Sequence, residues 1–217
     1  MALLVITLIA FATLCAVWYS VSLRRKHRKA RQVLRWIQAS LAGRGQVVGI
    51  SWIEASKFRV PLRLTSGLFQ RAWVLVELAS DQTPVQWIFN KVKRKRELLT
   101  FQADLDCPPV FSLYLHNYRW FARSSRKTPV NRPGWRFEHL QPLVISTQKT
   151  QQTEMAAAMA SLSKPESSEL LNVSFQRRSP HFSATLPLES LAPGSPAQTY
   201  MMDAMRELAG SASTSLS

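Results

Sequence analysis

From Ala2 to Leu23 the chain reads ALLVITLIAFATLCAVWYSVSL, 22 residues without a charged side chain. At ~1.5 Å rise per residue a helix of that length covers the ~30 Å hydrocarbon core of a bilayer. Lipid offers an unpaired backbone no partner, so helix is the conformation such a run imposes. A cleavable leader fits less well: no basic region precedes the run, it is too long for a leader's apolar stretch, and no small-residue cleavage site follows it. Leu14 before Cys15 also argues against a lipoprotein anchor. Residues 1–23 are therefore expected to be a single transmembrane helix.

Directly after it stand Arg24, Arg25, Lys26, Arg28, Lys29 and Arg31, six cations in eight residues, in a basic juxtamembrane segment over 24–31. By the positive-inside rule the C-terminal body is expected in the cytoplasm, on a cell (inner or plasma) membrane. Trp18 and Tyr19 fall at the same end, at headgroup depth. A reducing compartment suits a chain with Cys15 in the membrane and only Cys107 elsewhere.

Charge is unevenly divided. Residues 1–136 carry 23 basic and 6 acidic side chains, a net +17, whereas 137–217 carry 5 and 7, a net −2. Two further clusters follow the first: Lys91, Lys93, Arg94, Lys95 and Arg96, then Arg119, Arg123, Arg126, Lys127, Arg132 and Arg136. Cations beside an anionic leaflet gain ~1 kcal/mol each, so the juxtamembrane and 91–96 clusters are candidate contacts to lipid headgroups. Solvated loops on a basic protein have the same composition. Trp120, Phe121 and Trp135 among the third cluster allow nucleobase stacking, although such aromatics more often anchor a loop to the core.

Periodicity then divides residues 32–191 into one α+β domain. Val33, Leu34, Ile37 and Leu41 recur at helical spacing up to Gly43, predicting a helix over 29–42 that could continue the span. Alternation predicts strands at 47–53, 58–64, 73–78, 98–105 and 110–115, with Pro61 marking an edge or bulge. A short helix or turn is expected over 85–92, a long loop over 117–134, a strand over 137–146, a helix over 153–162, and a hairpin from 170–175 and 181–188. The first helix and hairpin resemble the last: Ile50, Ser51 and Trp52 match Val173, Ser174 and Phe175, while Phe58 and Leu62 match Phe182 and Leu186. That suggests a duplicated helix-strand-strand unit. Residues 192–209 read as a linker and amphipathic helix, and 210–217 as a disordered tail.

Chemistry is sparse. No phosphate-binding glycine loop or zinc-protease motif occurs, and the four histidines are never two or four residues apart. Asp104 and Asp106 have the D-x-D form of a metal-diphosphate ligand, but strand alternation puts both on a solvated face. Ser124 to Lys127 and Ser161 to Lys164 match S-x-x-K without its partner motifs. Cys107 with His116 or His139 could form a nucleophile and base, yet Pro108 and Pro109 leave no helix end to activate it, and a small buried cysteine is the simpler reading. No catalytic, cofactor or metal residues are expected. The expected role is a non-enzymatic, membrane-anchored binding or scaffolding protein with a basic face toward anionic lipid. A membrane-tethered nucleic-acid binder and an enzyme on a lipid-linked substrate are the alternatives.

The charge asymmetry makes one direct forecast. An alkaline phosphatase fused after Ser217 is expected to stay inactive in a bacterial host, because it remains in the cytoplasm. Activity on the exported side would reverse the orientation.

Overall fold

The computed structural model describes residues 2–65, 67–79, 88, 90, 92, 96–109, 111–117, 135–140, 143–148 and 170–213. Helix α1 spans Ala2–Ser40 without a break. No glycine or proline interrupts the sequence from Ala2 to Ala42, so the backbone ladder continues across the change from apolar to basic composition. It ends in a turn where Arg44 N–H donates to Leu41 C=O and Gly43 sits at φ +76°, the left-handed conformation that glycine adopts without a Cβ penalty. Residues 3–17 are exposed all round. Burial begins at Trp18 and follows one stripe: Ser22, Lys26, Ala30, Val33 and Ile37.

The body is a ten-stranded antiparallel sheet among the described residues, in the class that the alternation predicts. Its strands are β1 Gly45–Val47, β2 Ser51–Glu54, β3 Lys57–Leu64, β4 Phe69–Glu77, β5 Leu98–Leu105, β6 Leu113–Asn117, β7 Trp135–Leu140, β8 Leu143–Gln148, β9 Asn172–Phe175 and β10 Phe182–Pro187. The order is β1-β3-β4-β5-β10-β9-β6-β8-β7, with β2 also paired to β3. Register stacks one apolar row across four strands: Val60 faces Val74, Val74 faces Phe101, and Phe101 faces Ala184. Because side chains alternate between faces, Phe58, Leu62, Val76, Leu99, Leu105, Phe175 and Phe182 share this core face.

That face is covered by α1, by a 3-10 turn at Leu188–Leu191 and by α2, Pro196–Ser213. Met201, Met202, Met205, Leu208 and Ala209 of α2 join the same core. Pro196 is the first helical residue, where its missing N–H costs nothing. The helix continues through Ser213, past the end expected at residue 209, so Gly210–Ser213 are helical and not tail. The opposite sheet face is polar at its centre, where Thr185, Ser174 and His116 are nonetheless buried. The hydroxyls of Thr100 and Thr185 lie 3.2 Å apart there.

Several expected elements differ in detail. The strand predicted over 47–53 is two, because Pro61 in the partner has no N–H to offer. Its carbonyl still accepts from Val48, and the break between β1 and β2 falls opposite it. Strand β3 is thus interior, not an edge. The strand expected over 137–146 is the β7–β8 hairpin, and Cys107, expected to be buried, is exposed in the bend before Pro108. Cys107 also follows the end of β5 opposite from the rim where β6 carries His116, which leaves that nucleophile and base apart. Of the turn expected at 85–92, Ile88, Asn90 and Val92 are helical; the rest of it, the loop 118–134 and the helix 153–162 lie outside the described residues.

The matched hairpins share one register. Trp52 pairs with Phe58 as Phe175 pairs with Phe182, and Ser51 with Arg59 as Ser174 with Ser183. They flank β4 and β5 about an approximate two-fold axis normal to the sheet at the Val74–Phe101 pair. Phe101 is fully buried at this centre, with ring contacts to Phe69 at 5.7 Å and Phe182 at 6.1 Å. Phe101→Ala is expected to cost about 3–5 kcal/mol in denaturant unfolding, whereas Gln102→Ala on the other face costs under about 1.5 kcal/mol.

Candidate functional site

The registers define a rim of the sheet where Lys57, Glu77, Leu98 and Pro187 end their strands. Leu78 N–H donates to Ser56 C=O, and Leu188 N–H to Glu97 C=O, on the same rim. Helix α1 enters the body there. Trp18, Val21, Ser22, Arg25, Lys26 and Lys29 face Leu78, Ala79 and Glu97 across a cleft of about 230 Å³. From this rim α1 crosses the core face to the far rim, where the carbonyl of Arg44 accepts from the backbone N–H and hydroxyl of Thr65. The end of the apolar segment and one rim of the sheet are therefore at the same level.

Of the expected cations, Arg24, Arg25, Arg28 and Arg31 are exposed on α1. Lys26 and Lys29 turn to the body instead. Lys29 Nζ lies 2.6 Å from Glu97 Oε2, while Glu97 Oε1 accepts from Ala79 N–H at 3.3 Å. Helical geometry dictates the split: positions 22, 26, 29 and 33 form the inward stripe, and 24, 28 and 31 lie opposite. Arg96 is exposed beside Glu97 on the rim, whereas Lys91, Lys93, Arg94 and Lys95 lie outside the described residues. The connection that holds them leaves the rim at Ala79 and returns to it at Arg96. Asn117 ends β6 at the same level, where its N–H donates to Leu171 C=O; Arg119, Arg123, Arg126, Lys127 and Arg132 of the third cluster lie outside the described residues.

Aromatic and apolar groups join this edge. The rings of His27 and Trp52 meet edge-on at 5.2 Å, and Trp52 packs on Phe58 at 5.0 Å. Ile50, Trp52 and Ile53 stay exposed along β2. Sequence reasoning missed this strip because it read 47–53 as a paired strand with one covered face.

It also missed a second feature. On the face away from α1, Arg59, Arg63 and Arg71 line a groove of about 520 Å³ with Trp73 and Asp104. Arg59 stacks 5.4 Å from the Trp73 ring centre, and Trp73 Nε1 donates to Gln102 Oε1 at 2.6 Å. The alternation in KFRVPLRL carried the signal: arginines at 59 and 63 are out of phase with Phe58, Val60 and Leu62. The Asp104 carboxylate faces this groove, and among the described residues no three His, Cys, Asp or Glu side chains gather as metal ligands.

In comparisons with known proteins, no family model matches the chain, and no curated protein matches it.

The Lys29–Glu97 pair ties helix to rim, and its partial exposure limits its strength. A double-mutant cycle of Lys29→Ala and Glu97→Gln is expected to give a coupling of about 0.5–1 kcal/mol that shrinks with added salt. A coupling unchanged in molar salt would mean a pair sealed from solvent.

Proposed function

We propose that the chain is a single-pass membrane protein whose α+β body binds or scaffolds partners at the cytoplasmic surface, with its basic rim toward anionic lipid. One observation carries the reading: the uncharged segment continues, as one helix, into the stripe that packs on the sheet. A leader passes the same test of length and composition. Removal of a leader at Leu23 would, however, strip Trp18 and Ser22 from the cleft they line with Leu78 and Ala79.

Four further features support it. Arg24, Arg28 and Arg31 are exposed just beyond the apolar segment, Arg96 is exposed on the same rim, and both longer basic connections start there. The exposed Ile50, Trp52 and Ile53 beside His27 suit the apolar–polar boundary of a headgroup layer. Nucleic acid is the second partner class. It has weaker support, because Arg59 already occupies a face of Trp73, the groove aromatic a base would need.

A fragment from Arg24 onward is expected to bind vesicles containing phosphatidylglycerol, to release with rising salt, and to bind phosphatidylcholine vesicles far more weakly. Charge reversal at Lys91, Lys93, Arg94, Lys95 and Arg96 should lower that binding by at least about tenfold, at ~1 kcal/mol per cation. Equal binding to neutral and anionic vesicles would remove the lipid reading, and tight DNA or RNA binding beside that result would put nucleic acid in its place.

A further inference from the structure

The cleft between α1 and the rim holds a lysine whose charge has no counterpart among the described residues. Lys26 is 8% exposed. Among the described residues, no ion pair or hydrogen bond reaches its ammonium. The adjacent carboxylate is already engaged, since Glu97 holds Lys29 with one oxygen and the Ala79 N–H with the other. Arg25 lines the same cleft. Among the described residues three cations thus face one carboxylate, a net charge of +2 in a pocket of about 230 Å³.

A charged side chain nine-tenths buried beside two other cations is costly, and such groups persist where a ligand supplies the opposite charge. The walls say which ligand. Arg25 and Lys26 offer donors suited to phosphate oxygens, Trp18 an amphipathic ring, and Val21 and Leu78 apolar surface. The cleft opens where the uncharged segment ends, which is headgroup depth in the membrane reading of this chain.

We infer that this cleft is a binding site for the phosphate of an anionic phospholipid headgroup, with Lys26 and Arg25 as the phosphate ligands. The inference rests on the proposed membrane anchoring and goes beyond it, because it specifies one bound lipid and not a diffuse attraction. The phosphate comes from the bilayer and not from solution: Trp18 and Val21, at the end of the apolar segment, line the cleft, so a lipid bound there keeps its acyl chains in the bilayer. Arg24, Arg28 and Arg31, on the opposite face of α1, belong to the diffuse attraction alone.

The test uses the full chain in detergent micelles, with retained lipid counted by native mass spectrometry. The wild type is expected to keep one dioleoyl phosphatidylglycerol in preference to dioleoyl phosphatidylcholine. Lys26→Met, which retains the apolar stem and deletes the charge, should weaken that retention about tenfold or more, and Lys26→Arg should restore it. Neutralising Arg24, Arg28 and Arg31 to Gln together should leave it unchanged. In a melting experiment, phosphatidylglycerol should raise the midpoint of the wild type and not that of Lys26→Met, whose midpoint without lipid should match or exceed the wild type's. Equal retention by Lys26→Met and wild type would overturn the site, as would displacement of the lipid by equimolar sn-glycerol 3-phosphate. A Lys26→Met chain that does not fold would also overturn it, by making Lys26 part of the scaffold. Salt-sensitive vesicle binding of the Arg24 fragment would survive each of those results, so loss of the site and loss of the membrane reading are told apart.

Discussion

One helix has to satisfy two environments, and the rest of the structure depends on how it does so. Over residues 3–17 α1 is uncharged and exposed on every side, in a segment long and apolar enough to cross a bilayer. From Trp18 onward it becomes one-sided: Ala30, Val33 and Ile37 complete the core that Phe58, Val74 and Phe101 begin, while arginines occupy the other side. The helix is therefore a core element as well as a segment long and apolar enough to cross a membrane. Without it the sheet would expose a continuous row of buried leucines, valines and phenylalanines, a patch that α2 and the short turn at Leu188–Leu191 only partly overlie.

Electrostatics follows from the same arrangement. The inward stripe carries Lys26 and Lys29 to the rim, where, among the described residues, Glu97 pairs with Lys29 and not with Lys26. At the far end Arg44 lies 2.8 Å from Asp203 of α2, an exposed pair that fastens the two helices where α1 stops. The near end of the helix thus holds an excess of positive charge, and the far end is neutralised. That polarity is the one expected of a body held by one end at an anionic surface.

Local pattern made much of the fold legible. The strand at 98–105 has the bounds that alternation assigns, since Leu99, Phe101, Ala103 and Leu105 sit on the core face in strict phase. The helix over 29–42 and the final amphipathic helix were readable from their apolar spacing. Long-range facts were not readable. That Pro61 lies inside the sheet depends on β1 and β2 sharing one neighbour, and no local signal encodes that sharing. The candidate site divides the same way: the run of cations was plain in the sequence, but the inward turn of Lys26 depends on the helical phase set by Ala30 and Val33 against the sheet. The partner surface of the cleft, Leu78, Ala79 and Glu97, is contributed by residues more than 50 positions away.

The unbroken backbone between Leu23 and Ser40 has a mechanical consequence. A stretch without proline or glycine bends little, so in a membrane the body would follow the anchor as a pointer follows its shaft. The 17 steps from Leu23 to Ser40 make an arm of about 26 Å at ~1.5 Å each. Transmembrane helices lean by ~20° on average, and a change of that size would swing the far rim by on the order of 9 Å. Bilayer thickness, which sets how far such a helix leans, would thereby set how high above the surface the arginine groove of Arg59, Arg63 and Arg71 is carried.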